Sequence, residues 1–124
     1  MRRGAPTVRN FSLWQVVRVE FPYADQPVTR KRPALVIAIP DIAKSFRLLW
    51  LIMITSARHD SWLGDVVISD LSSAGLSRPS YVRTTRVAVL DARYAEPIGQ
   101  IVEADRAEVV RQLRGWLRPA MLIA

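Results

Sequence analysis

Residues 30–37 read RKRPALVI, with three cations set directly against a proline and an unbroken apolar run. Pro33 has no backbone N–H and a fixed φ, and it pushes Arg32 toward an extended conformation. The segment Ala34–Ile39 does not alternate between apolar and polar residues, which predicts a strand covered on both faces. Arg32 is then held at the start of a rigid strand, where its planar, charged guanidinium group suits a phosphate group. The alternative is a solvated basic turn before a core strand.

The composition is typical of a single domain with one core, since half of the 124 residues are hydrophobic. The chain has no cysteine and one histidine, His59, which excludes a disulfide framework, a thiolate metal site and a cluster of histidine ligands within one chain. The longest apolar run, Leu48–Ile54, is far shorter than the roughly 20 residues that span a bilayer. No apolar segment of the secretory type follows the basic N-terminus. We therefore expect a cytoplasmic protein without membrane association, metal or cofactor.

The charge of the chain favours an anionic partner. The formal net charge is +7, and all but two of the 18 cations, Lys31 and Lys44, are arginine. Arginine is weakly hydrated and binds phosphate through two parallel hydrogen bonds, which favours a nucleic acid or an acidic protein as partner. Replacement of lysine by arginine throughout a genome would produce the same composition, so charge alone does not decide between these interpretations.

The predicted elements indicate a mainly β fold. We expect a flexible basic arm over residues 1–12, a single domain over 13–118 and a short tail over 119–124. Many short strands separated by close turns, with one terminal helix, predict a small, partly open, SH3-like barrel. The predicted strands are Trp14–Phe21, Ala34–Ile39, Phe46–Thr55, Val66–Ile68, Tyr81–Leu90 and Ile98–Val102.

The last predicted element is an amphipathic helix from about Glu103 to Leu117, because the apolar residues change there to helical spacing. Pro119 is expected to limit this helix, since proline removes a backbone donor. Trp14, Trp50 and Trp116 are assigned to the core, where most aromatic residues of a small domain lie.

Several segments, taken in order, resemble the PemK/MazF toxins of bacterial toxin–antitoxin systems. The resemblance covers roughly residues 13–117, and the ordered set is specific although no single piece is. It implies a homodimeric, metal-independent endoribonuclease that cleaves single-stranded mRNA through the RNA 2′-OH and is bound by an acidic antitoxin protein. The matching segments are Val16–Tyr23 (VVRVEFPY), Arg32–Ile37 (RPALVI), Met53–Ser56 (MITS), Gly64–Val66 (GDV), Gly75–Ser77 (GLS) and Pro79–Arg83 (PSYVR).

This resemblance also implies roles for individual residues. The catalytic arginine that precedes the proline falls on Arg32, and the catalytic threonine at the end of the third strand falls on Thr55, directly before Ser56. An arginine that serves the site of PemK-type members matches Arg83. In those members an aspartate follows it two residues later, where this chain has Thr85. The loop before the Arg-Pro motif also lacks the histidine that members often carry, so the general base stays open.

His59 is the best remaining candidate for the general base, because histidine is the side chain whose charge changes near neutral pH. The alternative is a surface histidine in a flexible loop. Trp62 and Tyr81 are candidates for stacking on RNA bases, and loops 22–29 and 56–65 are expected to set the recognised sequence. The candidates for binding the RNA are Arg30, Lys31, Arg58, Arg78, Arg86 and Thr85.

Two other functions compete with an mRNA-cleaving toxin. A CcdB-like toxin shares the barrel but inhibits DNA gyrase through its C-terminal end, and the apolar end of this chain, Met121–Ala124, lacks the residues expected of such a contact. A degenerate family member would bind RNA or antitoxin without cleaving RNA. Thr85 and the missing loop histidine motivate this third interpretation.

Overall fold

The computed structural model describes residues 10–20, 30–44 and 46–122, which form one antiparallel sheet and a C-terminal helix. The strand order is β5-β6-β4-β2-β1-β7, and β3 pairs with β4 outside this path. The fold is mainly β and the sheet is not closed, which confirms the predicted fold class. The strands are β1 (Gln15–Glu20), β2 (Lys31–Ala38), β3 (Asp41–Ala43), β4 (Phe46–Ser56), β5 (Asp65–Val67), β6 (Ser80–Asp91) and β7 (Ala95–Gln100); the helices are α1 (Leu71–Ala74) and α2 (Glu103–Met121).

The central strands have two buried faces. Ala34, Leu35 and Val36 are all fully buried in β2, which explains why this strand shows no alternation. Side chains on one face of the sheet pack with Val109 of α2 in a first apolar layer. Side chains on the other face form a second layer that includes Ala34 and Met53. The prediction of a doubly covered strand after the Arg-Pro motif is therefore confirmed.

Two strands begin three residues earlier than predicted. Strand β2 begins at Lys31, because its Arg32 and Pro33 pair with β1. Strand β7 is Ala95–Gln100 where Ile98–Val102 was expected, and it includes Pro97. A proline is accommodated there because β7 is an edge strand of the sheet that the described residues form.

Helix α2 runs to Met121 with Pro119 inside it, so the prediction that Pro119 limits the helix is wrong. Pro119 has no N–H to donate to the carbonyl of Gly115 four residues earlier, and the last turn continues without this hydrogen bond. The N–H of Leu122 then donates to the carbonyl of Arg118 over 3.1 Å. Within the described part of the chain, neither helix has the length and hydropathy needed to cross a membrane.

The core assignment of the tryptophans is only partly correct. Trp14 is half-buried and packs against the first apolar layer. Trp50 and Trp116 are 46% and 42% exposed, so their assignment to the core is wrong. Trp50 shares a face with buried Ile52 but lies nearer the start of β4, where it pairs with exposed Val89. Trp116 lies near the end of α2, where its indole N–H donates to the Thr84 hydroxyl oxygen.

Candidate active site at the ends of β2 and β4

The register of β2 with β4, continued toward the start of β2, brings Arg32 level with Thr55. Ala34 pairs with Met53 in this antiparallel ladder, and the same register continued by two residues sets Arg32 opposite Thr55. Since side chains alternate along a strand, Arg32 and Thr55 share the face of Ala34 and Met53. Arg32 is exposed and Thr55 is half-buried. Two residues that lie 23 positions apart in the sequence are thus neighbours at one end of the sheet.

The guanidinium of Arg32 is available to an anionic ligand. Its backbone is fixed by pairing with Val19 of β1, while its side chain is exposed together with those of Arg30 and Lys31. None of the ion pairs among residues 10–20, 30–44 and 46–122 includes any of these three cations. An unpaired fork on a fixed strand suits a phosphate group.

Strand β6 extends the same face on the other side of Thr55. Thr55 pairs with Tyr81, and Arg83 follows Tyr81 by two residues, so both share the face of Thr55. Ser56 ends β4, and its hydroxyl accepts a hydrogen bond from the Arg58 N–H at 3.4 Å. Its carbonyl accepts from the His59 N–H at 3.1 Å. Ser56 therefore begins the turn that carries the chain into the loop over residues 57–64.

Arg83 is buried and already has partners. Its Nε donates to Asp65 Oδ1 at 3.1 Å, and its Nη2 donates to Asp65 Oδ2 at 2.9 Å and to the carbonyl of Asp60 at 2.8 Å. The Arg83 and Asp65 side chains are only 5% and 3% exposed. The hydrogen bonds to Asp65 raise the pKa of the Arg83 guanidinium above its ordinary value. The fork of Arg83 is thus occupied, and its proton is held more tightly than usual.

The partner of Arg83 comes from a neighbouring strand. The family resemblance implies a carboxylate at position 85, where this chain has exposed Thr85. The structure brings Asp65 of β5 directly opposite Arg83 instead. The segment Gly64–Val66 was one of the matching pieces, and it was the only sequence signal for Asp65.

A second set of hydrogen bonds holds loop 57–64 from the side of α2. The Thr84 hydroxyl donates to the Gly64 carbonyl at 2.7 Å, and the Trp116 indole N–H donates to the Thr84 oxygen at 2.9 Å. Gly64 has φ +91°, and a Cβ there would lie 2.8 Å from the Thr84 hydroxyl and 2.9 Å from the Trp116 ring. Glycine is therefore required at this turn.

The predicted RNA-binding residues, five cations and Thr85, fall into three groups around this end of the sheet. Arg30 and Lys31 precede Arg32, as described above. Arg58 and Arg78 are exposed on two loops held side by side, because the Ala57 N–H donates to the Pro79 carbonyl at 2.9 Å. Arg86 and Thr85 are exposed on an irregular part of β6, where residues 83–86 stand opposite residue 53 alone.

Two other predictions concern the surroundings of the site. His59 is exposed on loop 57–64, four residues after Thr55. The loop expected to take part in sequence recognition, residues 22–29, lies outside the described residues. In the described ranges no three His, Asp or Glu side chains lie close enough together to hold a metal ion.

One family model matches this chain, and solved structures of similar fold include toxins of the same family. The model of the PemK-like, MazF-like toxins of type II toxin–antitoxin systems matches residues 13–117. A crystal structure of MazF from Deinococcus radiodurans is 25% identical, with a TM-score of 0.62 over 86% of this chain and 94% of that one. The Mycobacterium tuberculosis toxin MazF-mt6 is 12% identical, with a TM-score of 0.62 over 84% and 96%. A mycobacterial endoribonuclease in complex with its cognate antitoxin is 13% identical, with a TM-score of 0.61 over 90% and 97%. Comparison with curated proteins found no match.

Proposed function

Since this chain belongs to the PemK-like, MazF-like toxin family of type II toxin–antitoxin systems, we propose that it is a cytoplasmic, metal-independent endoribonuclease that cleaves single-stranded mRNA. The observation that supports this most strongly is the pair formed by Arg32 and Thr55. An exposed guanidinium without an ion-pair partner among the described residues lies opposite a half-buried hydroxyl when the register of β2 with β4, which pairs Ala34 with Met53, is continued by two residues. Such a pair can hold a phosphodiester between a charged fork and a hydrogen-bond donor.

The chemistry uses the nucleophile of the substrate itself. The 2′-OH of the RNA attacks the adjacent phosphorus, its proton passes to a base, and the 5′-oxygen of the next nucleotide leaves with a proton from an acid. The products are a 2′,3′-cyclic phosphate and a free 5′-OH. Arg32 neutralises the charge that builds up on the phosphate oxygens, and the Thr55 hydroxyl donates a hydrogen bond that fixes the scissile group.

The other predicted catalytic residues act around this pair. Ser56 shapes the turn after β4 through its hydroxyl and carbonyl, as its two hydrogen bonds indicate. Arg83 positions loop 57–64 from its buried site, because its fork is used by Asp65 and by the Asp60 carbonyl. The exposed cations on either side of Thr55 bind the phosphates of the flanking nucleotides.

His59 is proposed as the general base because it is exposed on the loop beside Thr55. A side chain that accepts the 2′-OH proton typically contributes 10²- to 10⁴-fold to the rate, so His59→Ala should slow cleavage by about 10²- to 10⁴-fold. Single-turnover rates of the variant and the wild type measure this effect, and a normal rate in the variant would exclude His59.

An acidic antitoxin is the proposed protein partner. The mycobacterial endoribonuclease of similar fold is in complex with its cognate antitoxin, and the net charge of this chain is +7. A partly disordered acidic segment that folds on binding would accept hydrogen bonds from the same arginine guanidinium groups that bind RNA. One equivalent of the antitoxin should therefore abolish RNA binding in a competition experiment, and simultaneous binding of both would contradict a shared site.

A homodimer is the proposed assembly, with apolar strand surface between the subunits. Trp50 of β4 lies opposite Val89 of β6, with Val87 on the same face, and all three are exposed. Exposed apolar residues that cluster in this way indicate a contact surface. Sedimentation at micromolar concentration should show a dimer, and Val89→Asp should shift it toward the monomer. A wild-type monomer under these conditions would contradict the assembly.

The proposed activity is tested by incubating the purified protein with a long RNA in EDTA. Cleavage should proceed without added metal, and the fragments should end in 2′,3′-cyclic phosphate because the 2′-OH is the nucleophile. Loss of cleavage in EDTA that magnesium restores would contradict this mechanism. Breakage of DNA that depends on gyrase would favour a CcdB-like function. Binding of RNA without cleavage would indicate the degenerate family member.

A further inference from the structure

The indole of Trp62 is stacked on a buried cation and is still open to solvent. The Arg83 guanidinium carbon lies 3.9 Å from the centroid of the Trp62 ring. The guanidinium covers one face of the ring, while the residue as a whole is 51% exposed. A stack made only to stabilise the fold does not need an exposed ring, because burying the indole would add apolar contact. The open surface of Trp62 therefore needs a separate explanation.

The backbone on both sides of this ring is held in place. The Trp62 N–H donates to Asp65 Oδ2 at 2.7 Å, and the Trp62 carbonyl accepts from the Asp65 N–H at 3.0 Å. Arg83 binds the carbonyl of Asp60 before the ring, and Thr84 binds that of Gly64 after it. The ring thus has a fixed cation beneath it and a fixed backbone beside it. A ligand that stacks on such a ring orders little of the protein, which favours binding.

The position of the ring relates it to the proposed cleavage site. Arg83 lies on the same face of the sheet as Thr55, with Tyr81 between them along β6 and β4. Loop 57–64 starts directly after Ser56 and also carries Arg58 and His59. An aromatic surface thus lies next to exposed cations, beside a site proposed to bind a phosphodiester. Single-stranded nucleic acids are bound by this combination, with cations on the backbone and aromatic rings on the bases.

We propose that the exposed face of Trp62 is a stacking platform for an unpaired RNA base next to the cleaved bond, with Arg83 as the fixed support beneath it. This assignment rests on the proposed RNA cleavage and adds the contact that holds a base. The buried cation draws electron density from the indole, and the outer face then stacks on the electron-rich ring of a base. Because every base has a π-face, this contact contributes affinity for all sequences.

The test uses variants of Trp62 and of its exposed neighbour Leu63. Trp62→Leu keeps an apolar cover over Arg83 but removes the aromatic ring, and Trp62→Phe keeps an aromatic ring. Leu63→Ala, at a residue that is 83% exposed in the same loop, is the matched control. The probe is a labelled single-stranded 2′-O-methyl RNA of mixed sequence, which binds without being cleaved through its 2′ position. Fluorescence anisotropy of the label gives the dissociation constant.

Loss of one base stack should weaken binding roughly 5- to 150-fold in Trp62→Leu. Trp62→Phe should stay close to wild type, and Leu63→Ala should match it. If Trp62→Leu does not fold, tryptophan emission provides a second measurement. Binding of the probe should quench the emission of the wild type, and this quenching should be lost in Trp62→Phe.

Three results would overturn the assignment while leaving RNA cleavage intact. The first is wild-type RNA affinity of Trp62→Leu when the wild-type protein binds and cleaves RNA. The second is a Trp62→Leu variant whose antitoxin binding alone is weakened, and the third is quenching that persists in Trp62→Phe. A wild-type protein that neither binds the probe nor cleaves RNA would instead remove the proposed function itself.

Discussion

Replacing Arg32 by alanine should slow RNA cleavage by about 10²- to 10³-fold, the usual effect of removing a donor that stabilises developing charge. The free energy of unfolding should change little, because the side chain is exposed and has no ion-pair partner among the described residues. Arg32→Lys should also be slow, since an ammonium group does not reproduce the planar fork. Single-turnover cleavage and urea unfolding measure the two quantities.

Arg18 provides the matched control for this experiment. It is an exposed arginine on the neighbouring strand β1, in a long contact of 4.0 Å with Glu96. Arg18→Ala lowers the net charge by the same amount as Arg32→Ala and should leave cleavage close to wild type. Equal losses in the two variants would mean that Arg32 contributes only general positive charge, and near-full activity of Arg32→Ala would show that the site is elsewhere.

Replacing Asp65 by alanine should lower the free energy of unfolding by about 3–5 kcal/mol, because it leaves the buried Arg83 cation without its partner. The carboxylate also accepts the Trp62 N–H, so loop 57–64 loses a contact as well. Arg83→Ala should destabilise the protein to a similar degree by leaving Asp65 unpaired. The free energy of unfolding therefore distinguishes the roles of the two arginines, since Arg32→Ala should slow cleavage without loss of stability.

The ion pair of Arg93, whose side chain is 70% exposed, with the partly buried Asp91 is the control for the buried pair. Arg93 Nη2 and Asp91 Oδ2 lie 3.0 Å apart. Ion pairs that are accessible to solvent nevertheless contribute only about 0.2–1 kcal/mol to the free energy of unfolding. Arg93→Ala should therefore change the free energy of unfolding by no more than about 1 kcal/mol. A comparably small effect of Asp65→Ala would contradict the view that Asp65 and Arg83 hold the loop together.

The sequence predicts much of this fold because strong local signals specify it. The unbroken run after Pro33 indicates a doubly covered strand, and the change to helical spacing near Glu103 indicates α2. The end of α2 was placed too early because a proline in the last turn removes a single bond. The strand β3 and the helix α1 were missed, since elements of three and four residues leave little pattern.

The candidate site was only partly predictable. Family resemblance supplied Arg32 and Thr55, and the register of β2 with β4 then brought them together. The pairing of Arg83 with Asp65 joins residues 18 positions apart and depends on how β5 pairs with β6. No local pattern reports such a contact. Exposure was also hard to predict, since Trp50 continues the apolar pattern of β4 past the edge of the covered layer.

The joint action of Arg32 and Thr55 on one phosphate is tested most directly by a double-mutant cycle. Single-turnover cleavage of one RNA would be measured for wild type, Arg32→Ala, Thr55→Ala and the double variant. Groups that act on the same reacting atoms lose their effects together, so the double variant should be little slower than the slower single variant. Rate losses that multiply in the double variant would show that the two residues act independently, and would contradict a shared phosphate site.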